Sequence, residues 1–78
     1  MPVVLLWEGY RAFFYSNERD EPPHVHVRAH GKEVKFWLVD LSVAVNYGFA
    51  DHEVRSILSV LADHREALTR AWDEHFGS

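Results

Sequence analysis

The chain has 78 residues, 47% of them hydrophobic, and a formal net charge of −4 at pH 7. A chain of this length buries only about 60% of the surface that its unfolded form exposes, so we expect a single domain over residues 1–78 with a small core. Eleven residues are Phe, Trp or Tyr. Side chains of this size compensate in part for the small number of core residues, because each can remove ~150–250 Å² of surface from water.

Composition excludes several kinds of protein. The sequence has no cysteine, which rules out a disulfide framework, a thiolate zinc site and a cysteine nucleophile. The opening apolar run "MPVVLLW" is too short to span a membrane and lacks the basic leader of a secretory signal, so we expect a cytoplasmic protein with no membrane association. The acidic balance is the opposite of that in most nucleic-acid-binding modules, and nucleic acid is therefore an unlikely partner.

Two short strands are predicted first. The apolar run "PVVLLW" ends at Glu8-Gly9 and the aromatic-rich "YRAFFYS" follows at once, a pattern that favours a tight β-hairpin. Residues 17–23, "NERDEPP", contain four charges and two prolines and are predicted to form an exposed loop. Its acidic residues are able to bind a cation, but we interpret them as solvated; they are Glu18, Asp20 and Glu21.

A second hairpin is predicted from "HVHVRA" and "KEVKFWL". Strict alternation places the apolar residues of the first strand on one face and its polar residues on the other. The apolar set is Val25, Val27 and Ala29, and the polar set is His24, His26 and Arg28.

The turn of this hairpin fixes its register. A type I′ turn at His30-Gly31 is favoured because glycine and histidine tolerate positive φ. It sets Arg28 opposite Glu33, whereas a turn at Gly31-Lys32 sets Arg28 against Lys35, a like-charge pair.

The remaining chain is predicted to be mainly helical. Residues 41–47, "LSVAVNY", alternate as a fifth short strand does but also suit a helical turn. A helix is expected from Asp51, which stands where an N-cap belongs. Its apolar stripe has the spacing of one continuous helix, although Asp63 and Glu66 have the spacing of a capping box and allow a break near residue 62. The stripe comprises Val54, Ile57, Leu58, Leu61, Leu68 and Trp72.

These elements predict an α+β fold, in which an antiparallel sheet of two β-hairpins, with or without the fifth strand, is covered by a long C-terminal helix. Near the end of that helix, Trp72 and Phe76 are large apolar side chains that we expect either to fold back over the sheet or to anchor a dimer. Together with Trp37 they are the candidate partner-binding residues.

The histidines His24 and His26 are candidate metal ligands, or candidate acid and base for proton transfer with Arg28 stabilising a phosphate. An H-x-H pair supplies only two ligands, and the sequence assigns no third. The candidates for a third group are His30, His52, Glu33 and Asp51. We interpret the polar face as a solvated strand surface in which no cofactor or metal is required.

Several segments together resemble a known family over almost the whole chain. They are "GYRAFFYSNERDEPPHVHV", "GKEVKFWL", "NYGF", "HEVRSIL" and "AWDEHFG". In their order and spacing they are similar to a group of small bacterial proteins known as domain of unknown function 4160. Members of that family are often encoded beside another small family, an arrangement similar to two-gene toxin and antitoxin modules. The resemblance implies a small cognate protein partner and implies no catalytic residue.

The functional expectation is therefore a non-enzymatic, protein-binding module of a two-gene system, with a homodimer as the alternative assembly. The rival hypothesis is a small hydrolase, such as an endoribonuclease, or a metal-binding protein that uses His24 and His26. The sequence has no cluster of basic residues that could form a groove for nucleic acid, which counts against the nuclease hypothesis.

Overall fold

The computed structural model describes residues 3–18 and 20–77, which form five strands and two helices. The strands are β1 (Val3–Trp7), β2 (Tyr10–Phe13), β3 (His24–Ala29), β4 (Lys32–Trp37) and β5 (Val43–Tyr47). The helices are α1 (Asp51–Asp63) and α2 (Arg65–Phe76). The sheet has the order β1-β2-β3-β4-β5, and each strand is antiparallel to its neighbour in the sequence. The predicted α+β fold is confirmed, including the fifth strand.

Both predicted hairpins close through two-residue turns in which both central residues have positive φ. Glu8 and Gly9 have φ values of 44° and 87°, and His30 and Gly31 have values of 53° and 75°. Positive φ at both central residues defines a type I′ turn. Hairpins favour this turn because its twist matches that of the strands that it joins. The predicted register is confirmed, since β3 and β4 pair Arg28 with Glu33 and His24 with Trp37.

The two helices cover one face of the sheet and enclose the core with it. Val27 and Val34 from the central strands are fully buried, as is Leu61 of α1. The rest of the buried core consists of Ala12, Phe14, Val25, Ala29, Phe36, Leu38, Leu41, Phe49, Ile57, Leu68 and Trp72. Polar contacts join the two layers at one end, where the Tyr10 hydroxyl donates to Glu53 Oε2 at 2.8 Å.

The prediction of one long helix is wrong, because the helical region divides at His64. The imidazole Nδ1 of His64 donates to the carbonyl oxygen of Val60 (2.9 Å), while the backbone amide of His64 bonds to Leu61 (3.0 Å). The imidazole thus bonds to the carbonyl oxygen of Val60, which in a continuous α-helix accepts from the backbone amide of His64. That amide bonds instead to the carbonyl three residues earlier, and the turn is tighter than an α-helical turn. No apolar side chain stands between Leu61 and Leu68 except Ala62 and Ala67, so packing does little to oppose the break.

The predicted N-cap of α1 is wrong, and the capping box considered as an alternative for a second helix does not form. The N-cap of α1 is Ala50, which has an extended backbone, and Asp51 is the first helical residue. The N-cap of α2 is His64, so Asp63 and Glu66 do not form a capping box. Asp51 and Glu53 nevertheless stabilise the first turn of α1, because negative charge complements the helix dipole at the N-terminus.

Neither helix within the described residues is long and apolar enough to cross a membrane.

Replacing Leu61 with alanine should lower the free energy of unfolding by about 2–5 kcal/mol, because the side chain is fully buried and its removal leaves a cavity. The matched control is Leu6→Ala, which removes the same atoms from a side chain that is 68% exposed and should change stability by no more than about 0.5 kcal/mol. Chemical denaturation of both variants measures the difference. Equal effects at the two positions would contradict the assignment of Leu61 to the core.

The hydrogen bond to Glu53, together with burial, raises the pKa of Tyr10 above its usual value. In the unfolded chain the phenol ionises first as the pH rises, so the folded state binds more protons and loses stability above about pH 10. Tyr10→Phe has no proton to lose and should show a smaller alkaline decline than the wild type. Urea denaturation of both proteins between pH 8 and pH 11, at roughly half-unit steps, provides the measurement; parallel curves would exclude the link.

Candidate functional site

The described part of the segment between β2 and β3, residues 14–18 and 20–23, folds back over part of the sheet face that the helices leave uncovered. Within it, the Tyr15 ring packs edge-on against Phe13, at a centroid distance of 5.0 Å, and against His26, at 4.5 Å. Phe13 also stacks on His26, at 5.5 Å. These contacts close off from water a region that strand alternation alone leaves open.

The interpretation of His24 and His26 as solvated residues is therefore wrong. Their exposed fractions are 0% and 5%. Alternation correctly places both imidazoles on the face opposite Val25 and Val27, but that face is not solvent where the segment 14–23 crosses it. The two histidines form a buried polar pair, and buried polar groups need partners.

Glu18, in the loop that crosses the face, supplies the common partner. Its Oε1 lies 2.8 Å from Nε2 of His24 and 2.7 Å from Nε2 of His26. Burial of the Glu18 carboxylate works to raise its pKa, but the hydrogen bonds with His24 and His26 outweigh burial and leave the pKa below its usual value. One carboxylate oxygen thus joins two buried imidazoles.

The orientation of His24 is fixed from several directions. Its Nδ1 donates to the carbonyl oxygen of Pro22, at 2.9 Å. The imidazole also lies against the rings of Trp37 and Trp72, at centroid distances of 5.8 and 5.0 Å. Because Trp72 belongs to α2, the second helix helps to fix the position of His24.

Glu33 stands beside the second histidine. Its Oε2 lies 3.2 Å from Nδ1 of His26, and Tyr15 donates its hydroxyl hydrogen to Oε1 at 3.2 Å. Burial and the neighbouring Glu33 carboxylate raise the pKa of Tyr15. Nδ1 of His26 is nevertheless buried without a hydrogen bond to any described residue, because the approach of Glu33 lacks the required geometry.

Of the four candidate third groups, the structure brings only Glu33 to the histidine pair. His30 occupies the β3–β4 turn, where its ring faces Tyr10, and Asp51 and His52 are exposed in the first turn of α1. Arg28 extends into solvent, with Nε 3.6 Å from Glu33 Oε1. Arg28 is therefore linked to His26 only through that carboxylate.

Sequence reasoning missed the roles of Glu18 and Tyr15. In the sequence Glu18 is one of three acidic loop residues, and nothing in its spacing connects it with the histidines. A signal was present for Tyr15, which follows Phe13 at a spacing of two and so continues the face that carries His26. No comparable periodicity marks Glu18, because its position depends on how an irregular loop returns to the sheet.

A pocket of about 240 Å³ opens from this region to solvent. Its walls are formed by Tyr15, Glu18, His26, Glu33, Lys35, Val45 and Tyr47. Two imidazoles and a carboxylate converge beside it, with ligand atoms within 4.8 Å of one another. Chemically, such a group is able to share protons or to coordinate a cation.

Beyond the pocket, the same face presents a row of side chains that runs across all five strands. Pairing places these residues side by side, and we call them the cross-strand row: Leu6, Arg11, Arg28, Glu33 and Tyr47. Leu6 and Tyr47 at its two ends are 68% and 66% exposed. Between them, Arg11 lies directly opposite Arg28, a like-charge pair that weakens the sheet unless another charge offsets it.

Comparison with known proteins gives one family. No curated protein and no solved structure shows significant similarity to the chain. The model of the family described as Domain of unknown function (DUF4160) matches residues 9–73, a range that contains the loop, both histidines and most of α2. The chain belongs to this family of unknown function.

Proposed function

We propose that this protein acts by binding a small cognate protein across the cross-strand row, as one half of a two-gene system similar to a toxin and antitoxin pair. The family resemblance supports the cognate partner, and the form of the uncovered sheet face supports the binding surface.

The observation that carries the proposal is the exposure of large apolar side chains on this face. Leu6 and Tyr47 are about two-thirds exposed, and Val3 and Val45, in the neighbouring row, are 45% and 37% exposed. These exposed apolar side chains lie on the two edge strands, Val3 and Leu6 on β1 and Val45 and Tyr47 on β5, and exposed apolar patches commonly mark interaction surfaces. Tyrosine and arginine, which supply three of the five residues of the row, are enriched among residues that contribute most to binding.

The charges on the row support a partner with an acidic surface. Among residues 3–18 and 20–77, Arg11 has no ion pair, and Arg28 has only Glu33, which also accepts from Tyr15. An overall charge of −4 makes this local excess of positive charge unusual for the chain. A partner that places carboxylates over the two arginines and apolar side chains over Leu6 and Tyr47 complements the row in both respects.

The candidate partner-binding residues differ in how accessible they are. Trp37 is partly exposed on the uncovered face, with Lys35 Nζ 4.8 Å from the centre of its ring. Trp72 is buried against Phe14 and His24, and Phe76 packs on Trp72 at 4.1 Å. Trp37, which lies outside the five residues of the row, is therefore open to a partner on the same face, whereas exposure of Trp72 requires α2 to detach.

Arg11→Glu should weaken the complex with the product of the adjoining gene at least tenfold, because it places a negative charge where the partner presents carboxylates. The variant should fold normally, since the Arg11–Arg28 pair becomes an attractive cross-strand pair. The measurement is titration calorimetry of the two separately expressed and purified proteins, together with a thermal melt of each variant.

Arg55→Glu is the matched control, because Arg55 is exposed on α1 and lies away from the row. It should leave the affinity unchanged. Failure of the two gene products to associate, or equal weakening by both substitutions, contradicts the proposal. A dimer of this chain alone that Arg11→Glu dissociates would replace the cognate partner with a second copy.

A further inference from the structure

We propose that Glu18, His24 and His26 form a binding site for a divalent transition-metal ion of the zinc class, with one coordination position open to the pocket. None of the three ligands belongs to the cross-strand row, although Glu33 of the row lies beside His26, and the site does not require the protein partner.

The first argument is the direction of the hydrogen bonds of His24. The carbonyl oxygen of Pro22 can only accept, so Nδ1 of His24 carries a hydrogen and Nε2 of the neutral ring presents a lone pair. That lone pair faces Oε1 of Glu18, which is also an acceptor when ionised. The contact is favourable only if a proton or a cation lies between the two atoms, and a metal ion satisfies both lone pairs without creating a buried imidazolium.

The second argument is that the surrounding groups are those that metal-bound histidines use. Such histidines usually donate their other ring N–H to a backbone carbonyl or a carboxylate, which fixes the ring and increases its basicity. His24 donates to Pro22, and the unbonded Nδ1 of His26 has a carboxylate oxygen of Glu33 3.2 Å away. A small rotation of Glu33 completes the second of these arrangements.

Distances are compatible with a shared ion. Zinc lies about 2.0–2.2 Å from imidazole nitrogen and carboxylate oxygen, which in tetrahedral geometry separates neighbouring ligand atoms by about 3.3–3.6 Å. The three ligand atoms lie within 4.8 Å of one another, and small shifts of the three side chains reach those separations. Glu18 is in an irregular loop and is partly exposed, so its carboxylate has room to adjust.

Charge and access also favour a cation. Lys35 faces the pocket but is paired with Glu21, and Arg28 is paired with Glu33. Glu18 has no such basic partner among the described residues apart from the two histidines. Two imidazoles and one carboxylate are also the protein ligands of several catalytic zinc sites, in which the fourth position holds water. Here that position faces Tyr15 and Lys35 at the pocket wall.

The test uses the untagged full chain, stripped with a chelator and then titrated with zinc chloride against a chromophoric competitor. We expect one equivalent of zinc per chain. Glu18→Gln and His26→Gln, which preserve side-chain size approximately, should lower the affinity by at least about 100-fold, beyond the 10–100-fold typical for loss of a surrounding group. His52→Ala and Asp20→Ala are matched controls, since both residues are exposed, and neither should alter it.

A measurement on the wild type keeps the test decisive if a variant fails to fold. In NMR spectra of the imidazole nitrogens, stoichiometric zinc should shift Nε2 of His24 and His26 and leave His30, His52 and His64 unchanged. Absence of binding by zinc and by cobalt(II) overturns the proposal. So does binding that Glu18→Gln and His26→Gln both retain, or shifts confined to the exposed histidines.

Discussion

The contact of one carboxylate oxygen with two buried imidazoles is the constraint around which the uncovered face of the sheet is arranged. Without Glu18, Nε2 of His24 and Nε2 of His26 are left in a closed environment with no partner from the described part of the chain. An unsatisfied buried polar group costs about 1–3 kcal/mol, so the loop that carries Glu18 must stay folded over the strands. That requirement also keeps Tyr15 against His26 and Phe13 away from solvent.

The sheet consequently has two faces with different physical characters. The helix-covered face is a conventional apolar core. The other face is divided between a closed polar region, around His26, and an open row that ends in Leu6 and Tyr47. Glu33 lies at the boundary, in contact with Arg28 on the open side and near His26 on the closed side. Glu33 is therefore the residue through which a change of charge on the row reaches the histidine pair.

The strands and their register were predictable because local chemistry determines them. Alternation placed Val25 and Val27 together, and His30-Gly31 supplied the positive φ values that a two-residue turn requires. The break at His64 was not predictable from the apolar stripe, since it depends on an imidazole that competes for the carbonyl of Val60. The polarity of residues 24 and 26 correctly indicated their face, but burial depended on the path of residues 14–23. Periodicity carries no information about that path, and for this reason the histidines were identified while their environment was not.

The order of the strands affects how the chain reaches this structure. Every strand pairs with its neighbour in the sequence, so the sheet is a simple meander with no crossover connection. Closing the two tight turns orders only two residues each, and the entropy lost in loop closure grows with loop length. Folds dominated by such local contacts reach the native state faster than folds with distant strand pairings. The β2–β3 connection is the longest in the sheet, with ten residues between Phe13 and His24, so its closure has the largest entropy cost, and the contacts of Glu18 with the histidine pair depend on it.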